Sequence, residues 1–147
     1  MIELPQTKKS LGQHWLTDKN ALQAMVAAAE VETNDTVLEI GPGAGTLTEL
    51  LVEAAKTVVA VEYDESLARK LPKMVSAANL RVVQQDILRY DFGNLAPNYK
   101  IVANIPYYLT SNLLRVISET PNRAQQVALL VQKEGAERVA APPGAMS

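Results

Sequence analysis

Short apolar runs alternate with helix-like segments along most of the chain, and this rhythm restricts the fold more than any other feature. The runs are rich in Val, Ile and Leu without clean polar alternation, which is typical of strands covered on both faces. The segments between them are long enough for right-handed crossovers between parallel strands. We predict strands at Thr36–Ile40, Val58–Glu62, Leu80–Asp86, Lys100–Asn104 and Gln126–Gln132.

The helical segments fit between and around these strands. We predict helices at Asp18–Glu30, Ala44–Ala55, Glu65–Ala77, Thr110–Glu119 and Lys133–Ala141. The pattern predicts an α/β, Rossmann-like fold, with a mainly parallel sheet of about five strands and helices on both faces. A sheet that ends on its fifth strand would leave one edge bare. We therefore expect residues 1–147 to be one domain, the amino-terminal part of a longer protein; the alternative is a complete minimal domain of five strands.

Composition excludes several classes of protein. The chain has no cysteine, so it offers neither a disulfide framework nor a thiolate metal site. Its net charge of -2 does not indicate a strongly basic nucleic-acid binder, although it leaves room for a local basic patch. No leader-like segment opens the chain, and no apolar stretch approaches the roughly 20 residues that cross a bilayer. We expect a cytoplasmic protein.

A glycine-rich loop follows the first predicted strand in the segment VLEIGPGAGTLTELL. Gly41, Gly43 and Gly45 have no side chains, so a ligand could approach the backbone closely at this loop. Glu62 ends the next predicted strand, 21 positions after Gly41, where an acid can accept hydrogen bonds from both ribose hydroxyls of an adenosine. Loop and acid together predict an adenosine-bearing cofactor, although such a loop alone is also typical of tight packing between strand and helix.

Glycine spacing favours one adenosine cofactor over another. A dinucleotide fingerprint requires its third glycine at position 46, which is Thr46, whereas Gly45 comes one residue early. This spacing favours S-adenosylmethionine over NAD. Asp86 ends the third predicted strand and could accept a hydrogen bond from the adenine amino group; the alternative is an aspartate that caps a helix or a turn.

The tetrapeptide NIPY lies at the carboxyl end of the fourth predicted strand, next to the position where this architecture binds ligands. The Asn104 side-chain oxygen and the Ile105 carbonyl could accept the two hydrogens of a purine amine, while the Tyr107 ring stacks on the purine. Pro106 would stiffen the turn. These residues predict in-line methyl transfer to an amine, driven by positioning. The alternative is a proline turn with a buried tyrosine.

The chain resembles the family of ribosomal RNA adenine dimethyltransferases, in its small-subunit branch, with the erythromycin-resistance methylases as relatives. The resemblance runs from Lys8 to Val139 through five ordered segments: KKSLGQHWLTD, VLEIGPGAGTLT, VVAVEYD, QQDILRYD and NIPYYLTS. It implies methyl transfer from S-adenosylmethionine to the N6 amines of two adjacent adenines, giving N6,N6-dimethyladenosine. The target would lie in the 3'-terminal hairpin loop of small-subunit rRNA, within a pre-30S particle. We expect a monomer that requires no metal ion and does not associate with a membrane.

Site residues carry over from this family position by position. His14 and Leu16 would lie over the methionine portion of the cofactor; without its motif, His14 would be taken for a surface or capping residue. Asn104 would lie between the cofactor and the target amine. The remaining roles match those predicted above: Gly41 and Gly43 at the cofactor, Glu62 at the ribose, Asp86 at the adenine, and Ile105, Pro106 and Tyr107 at the target base.

Other functions compete with this interpretation. A nicotinamide oxidoreductase is disfavoured by the glycine spacing. A non-catalytic RNA-binding assembly factor on the same scaffold is disfavoured by the intact NIPY segment. A methyltransferase acting on another substrate is the nearest alternative. Because the family continues with further strands and a small helical domain that grips RNA, cofactor binding by this chain is a firmer expectation than turnover.

Overall fold

The computed structural model of the chain describes residues 2–3, 19–133 and 136–140. The helices are α1 (Lys19–Ala28), α2 (Thr46–Ala54), α3 (Glu65–Met74) and α4 (Tyr107–Glu119), with two short 3-10 helices at Ile87–Arg89 and Phe92–Asn94. The strands are β1 (Ile2–Glu3), β2 (Thr36–Ile40), β3 (Thr57–Glu62), β4 (Leu80–Gln84), β5 (Lys100–Pro106), β6 (Gln126–Lys133) and β7 (Ala136–Ala140).

The strands form one sheet in the order β1-β7-β6-β5-β2-β3-β4. The five strands from β6 to β4 are mutually parallel, which confirms the predicted α/β fold with a mainly parallel sheet. The chain runs outward from β2 through β3 to β4, and then crosses to the other side of β2 to form β5 and β6. In such sheets ligands bind beyond the carboxyl ends of the strands where the order reverses, here between β2 and β5.

Residues after β6 contradict one prediction. The helix expected at Lys133–Ala141 is wrong, because β7 pairs antiparallel with β6 and β1 pairs antiparallel with β7. Only two positions separate β6 from β7, and one of them is a glycine, a length and composition that favour a hairpin. The edge of β6 that the sequence left bare is covered by β7.

Strand β5 and helix α4 meet without an intervening loop. The strand extends to Pro106, beyond the predicted end at Asn104, and the helix begins at Tyr107 instead of Thr110. Pro106 has a φ of -69° and no N–H, so it ends the strand's hydrogen bonding and leads directly into a helix. The predicted turn is therefore a direct junction between strand and helix.

Helices cover both faces of the sheet, as predicted. On one face α1 and α2 pack Leu22, Met25 and Leu51 against the strands. On the other face α4 contributes Leu113 and Ile117 to a core that also includes the 3-10 helices. None of the helices in the described part of the chain is long and apolar enough to span a bilayer.

Candidate active site

The three loop glycines between β2 and α2 have positive φ, but their surroundings differ. A Cβ on Gly45 would lie 2.8 Å from Val75 Cγ2 and 2.9 Å from Leu71 Cδ1, so this glycine allows α2 to pack closely on the residues around α3. A Cβ on Gly43 would meet nothing within 4 Å. Gly45 therefore serves packing, whereas Gly43 leaves open space at the loop.

Glu62 connects the end of β3 to the glycine loop. Its Oε1 accepts a hydrogen bond of 3.2 Å from the Gly43 N–H, and its Oε2 accepts one of 2.9 Å from the Asp64 N–H. The residue is 7% exposed. Each carboxylate oxygen has a second lone pair, so Glu62 can still accept two hydroxyl hydrogen bonds from a ligand.

Asp86 follows β4 and caps the first 3-10 helix. Its Oδ1 accepts a hydrogen bond of 3.0 Å from the Leu88 N–H. Its backbone carbonyl also accepts the Arg89 N–H. Asp86 therefore caps the turn through one carboxylate oxygen, as the alternative interpretation expected, and the second carboxylate oxygen is left for other partners.

A cavity of about 290 Å³ lies at the carboxyl edge of the sheet and brings three predicted residues together, namely Gly41, Glu62 and Asp86. Its apolar walls come from the ends of β2 and β3, from the first 3-10 helix and from the first turn of α4. The other lining residues are Ile40, Val61, Tyr63, Gln85, Ile87, Leu88, Tyr108 and Leu109.

The charge of this cavity is negative. Among the described residues that line it, Glu62 and Asp86 carry carboxylates, and no lysine or arginine is present. The Gly43 N–H, which in a dinucleotide site would be available to phosphate, is directed at Glu62 instead. A flat apolar ring with hydroxyl and amine donors fits these carboxylate acceptors, and a positively charged group fits better than a pyrophosphate.

The NIPY residues lie beside the cavity without lining it. A Cβ on Gly41 would be 3.9 Å from the Asn104 carbonyl oxygen, so the glycine loop and β5 are neighbours. Ile105 is buried and pairs with Val131 of β6. Tyr107, predicted as a stacking ring, is 53% exposed, which excludes the buried-tyrosine alternative. His14 and Leu16 lie outside the described residues.

Two lining tyrosines were not predicted from the sequence. Tyr63 directly follows Glu62, and Tyr108 directly follows Tyr107. Both are exposed, Tyr108 to 82%. Their positions immediately after predicted ligand residues at strand ends were the signal that could have found them.

A buried carboxyl group underlies the glycine loop. Glu39 of β2 accepts a hydrogen bond of 2.5 Å from the Thr48 hydroxyl of α2 and is fully buried. Burial raises the pKa of Glu39 to about 8; the Thr48 hydrogen bond opposes this shift and the nearby Glu62 carboxylate adds to it. Glu39 is therefore protonated at neutral pH and joins strand to helix as a neutral group.

Comparison with known proteins decides the family. The family profile described as ribosomal RNA adenine dimethylase matches residues 5–147. The chain belongs to this family. The resemblance noted in the sequence is thus confirmed, and the dimethylase family is one of methyltransferases that use S-adenosylmethionine, as predicted.

Individual relatives agree with this assignment. The chain is 44% identical over 147 residues to the ribosomal RNA small subunit methyltransferase A of Lactiplantibacillus plantarum, covering 95% of this chain and 50% of that protein. The chain spans about half the length of the curated relatives that it matches.

Two solved structures share the fold. The 23S rRNA methyltransferase ErmE aligns with a TM-score of 0.71 and 30% identity, over 78% of this chain and 46% of that one. A dimethyladenosine transferase from Plasmodium falciparum aligns with a TM-score of 0.66 and 25% identity, over 88% of this chain and 44% of that one.

Proposed function

We propose that this chain is the catalytic, cofactor-binding half of a longer ribosomal RNA adenine dimethyltransferase. The observation that carries this proposal is the negatively charged adenosine-sized cavity beside the NIPY segment. S-adenosylmethionine combines an adenosine with a sulfonium, an ammonium and a carboxylate, so its net charge is positive and favours a cavity with Glu62 and Asp86 over one with cations. When bound, it supplies an electrophilic methyl group.

Each predicted cofactor residue that the structure describes has a role consistent with its surroundings. Glu62 would accept the ribose hydroxyls with lone pairs that its two backbone hydrogen bonds leave free. Asp86 would accept the adenine amine with the carboxylate oxygen that does not cap the turn. Gly41 and Gly43 would leave space for the ligand, and His14 and Leu16 would cover its methionine portion, as the family resemblance implies.

The target would be the N6 amine of two adjacent adenines in the 3'-terminal hairpin loop of small-subunit rRNA. Relatives named ribosomal RNA small subunit methyltransferase A support this choice over large-subunit rRNA. We expect a monomer that acts in the cytoplasm on a pre-30S particle, without a metal ion. Among the described residues, no group of three His, Asp or Glu side chains is placed to hold a metal.

Positioning would supply most of the catalysis. The Asn104 side-chain oxygen and the Ile105 carbonyl would hold the two amine hydrogens, which aims the nitrogen lone pair at the methyl carbon. Because Ile105 lies inside β5, its carbonyl would use a lone pair that the sheet leaves free. The Tyr107 ring, half exposed at the start of α4, would stack on the adenine, and Pro106 would fix the junction that carries it.

No side chain has to act as a strong base in this scheme. The amine nitrogen forms a bond to the methyl carbon while the bond between the methyl carbon and sulfur breaks. The electron pair of the broken bond stays on sulfur. The methylated nitrogen is positively charged and acidic, so it releases its proton to water. A second round on the same nitrogen gives the dimethylated product.

The first experiment is a calorimetric titration of this chain with S-adenosylmethionine and with NAD. Binding of the methyl donor alone supports the cofactor assignment; binding of NAD alone contradicts it. The complete protein is then assayed on small subunits that lack the modification. Cofactor binding without methyl transfer would favour the non-catalytic assembly factor, and transfer only to other substrates would contradict the rRNA assignment.

Asn104→Ala in the complete protein tests the amine-holding role. We expect methyl transfer to fall at least 100-fold, the scale on which one oriented polar contact affects a transition state. Asn94→Ala, at an exposed position on the second 3-10 helix, is the matched control and should retain full activity. Near-normal transfer by Asn104→Ala would refute the role.

A further inference from the structure

The outer face of α4 has a distinct composition. Over its first three turns, the exposed residues are two tyrosines followed by a serine, an asparagine and an arginine: Tyr107, Tyr108, Ser111, Asn112 and Arg115. With Tyr107 set aside for the target base, the other four form what we call the α4 strip. Aromatic rings stack on bases, Arg contacts phosphates, and Ser and Asn donate to the sugar-phosphate backbone.

The α4 strip is continuous with the cavity. Tyr108 lines the cavity and is nevertheless 82% exposed, so its ring stands at the cavity mouth with most of its surface free. Arg115 lies two helical turns further along α4, about 10 Å away at 1.5 Å per residue. A strand that leaves the target position can therefore follow the helix away from the site.

The first turns of α4 carry no carboxylate, since its only acidic residue is Glu119 at its last position and Arg115 is its only earlier charge. Of the other helices that begin at this edge of the sheet, α2 carries Glu49 in its first turn, and α3 begins with Glu65 and carries three cations further along. At the cavity edge a polyanion therefore meets a carboxylate at the start of α2 and α3 but none at the start of α4.

We propose that the single-stranded RNA flanking the target adenine lies along the α4 strip. The Tyr108 ring stacks on the base next to the target, and Arg115 contacts a phosphate further along the strand, with Ser111 and Asn112 between them. This inference rests on the proposed function, since it takes RNA as the substrate, and it adds the direction from which that RNA reaches the site.

Salt dependence of RNA binding by the complete protein tests the Arg115 contact. Loss of one phosphate contact lowers the slope of log affinity against log salt concentration by about 0.7 for a single strand. Arg115→Ala should show this decrease, and Arg115→Lys should largely restore the slope. Lys73→Ala removes an exposed cation from the last turn of α3 and is the matched control. Equal slopes for Arg115→Ala and Lys73→Ala would overturn the contact.

Tyr108 is tested by separating RNA binding from cofactor binding. Tyr108→Ala should weaken RNA binding about tenfold, the scale of one lost base stack, while Tyr108→Phe retains the ring and the affinity. Calorimetry with S-adenosylmethionine on each variant shows whether the substitution also lowers the affinity of the cavity for the cofactor. If Tyr108→Ala weakens only cofactor binding, the stacking role is wrong. If the unsubstituted protein binds no cofactor, the proposed function fails instead.

A photo-crosslinking side chain at Asn112 of the complete protein identifies what covers the strip. A crosslink to small-subunit RNA, which competitor RNA abolishes, supports the proposal. A crosslink only to the protein's own second half would show that this half covers α4, and would overturn it.

Discussion

The backbone N–H of Gly43 donates a hydrogen bond of 3.2 Å to Oε1 of Glu62, which makes the glycine loop and the proposed ribose acceptor one unit. The Asp64 N–H holds the other oxygen of the same carboxylate. Because the carboxylate is oriented before a ligand arrives, less conformational entropy is lost when the ribose binds. The loop thus contributes to binding through Glu62 as well as by leaving space.

Glu62→Ala should weaken S-adenosylmethionine binding at least tenfold. The substitution removes the ribose acceptor and leaves the N–H groups of Gly43 and Asp64 without their partner, which also lowers the free energy of unfolding by about 1–3 kcal/mol. Calorimetry measures the affinity and urea unfolding measures the stability. Glu49→Ala, at an exposed position on α2, is the control. Unchanged affinity in Glu62→Ala would eliminate the ribose assignment.

Alanine at Gly43 and at Gly45 should have opposite main effects. Gly45→Ala forces a Cβ into Val75 and Leu71 at a φ of +87°, and we expect it to lower the free energy of unfolding by about 2–5 kcal/mol. Gly43→Ala has open space at a φ of +56°, so the cost in the free energy of unfolding is about 1–2 kcal/mol. Under the proposed role of Gly43 at the cofactor, the added methyl group should lower cofactor affinity.

Urea unfolding and cofactor titration of both glycine variants check this difference. We expect Gly43→Ala to lose more cofactor affinity than stability, and Gly45→Ala the reverse. Equal destabilisation by the two substitutions would show that the loop relaxes around the added methyl groups, and would contradict the separate roles.

Much of the fold was predictable because it follows from local patterns. The bounds of β2 at Thr36–Ile40 were predicted without error, since its apolar run is bounded by polar and glycine residues. The segment after β6 was predicted wrongly because Ala and Glu favour helix locally, whereas pairing with β6 makes it a strand. Such a partner is set by tertiary structure, which local propensity does not contain.

The part of the candidate site that consists of polar residues at strand ends was predictable from the sequence. Glu62 and Asp86 were predicted to lie at one edge of the sheet because parallel strands bring their carboxyl ends together, and both line the cavity there. Tyr108 was missed because the predicted helix begins only at Thr110, whereas α4 begins at Tyr107 and brings Tyr108 to the cavity mouth. The neutral state of Glu39 follows from complete burial, which depends on how α2 packs rather than on the motif.

The pH dependence of stability should carry the signature of Glu39. Its pKa is raised from the ordinary value of 4.5 to about 8, chiefly by burial. Below about pH 4.5 both folded and unfolded chains hold this proton, so the group has no effect. Between about 4.5 and 8 only the unfolded chain releases it, so the free energy of unfolding falls as pH rises, by a few kcal/mol in all, and then levels off.

Glu39→Gln isolates this contribution. Glutamine keeps an oxygen that can accept from Thr48 but cannot ionise, so the variant should gain stability relative to the unsubstituted chain as pH rises from 5 to 8. Urea unfolding at several pH values gives the difference, in which the other titrating groups cancel. A difference that does not change with pH would show that Glu39 is ionised in the folded chain.

The ion pair between Lys100 and Asp35 should stabilise the opposite edge of the sheet. Lys100 Nζ lies 2.8 Å from Asp35 Oδ2, with side chains 6% and 14% exposed, and also donates to the Glu30 carbonyl. Asp35→Ala leaves the lysine charge buried with that carbonyl alone, and we expect a loss of about 3–5 kcal/mol in the free energy of unfolding.

Lys100→Met should cost less, because Asp35 still accepts a hydrogen bond of 2.6 Å from the Glu32 N–H. The double variant should be more stable than Asp35→Ala alone, since no charge is then left unpaired. Urea unfolding of the four proteins completes a double-mutant cycle, and strictly additive losses would show that the two charges are not coupled.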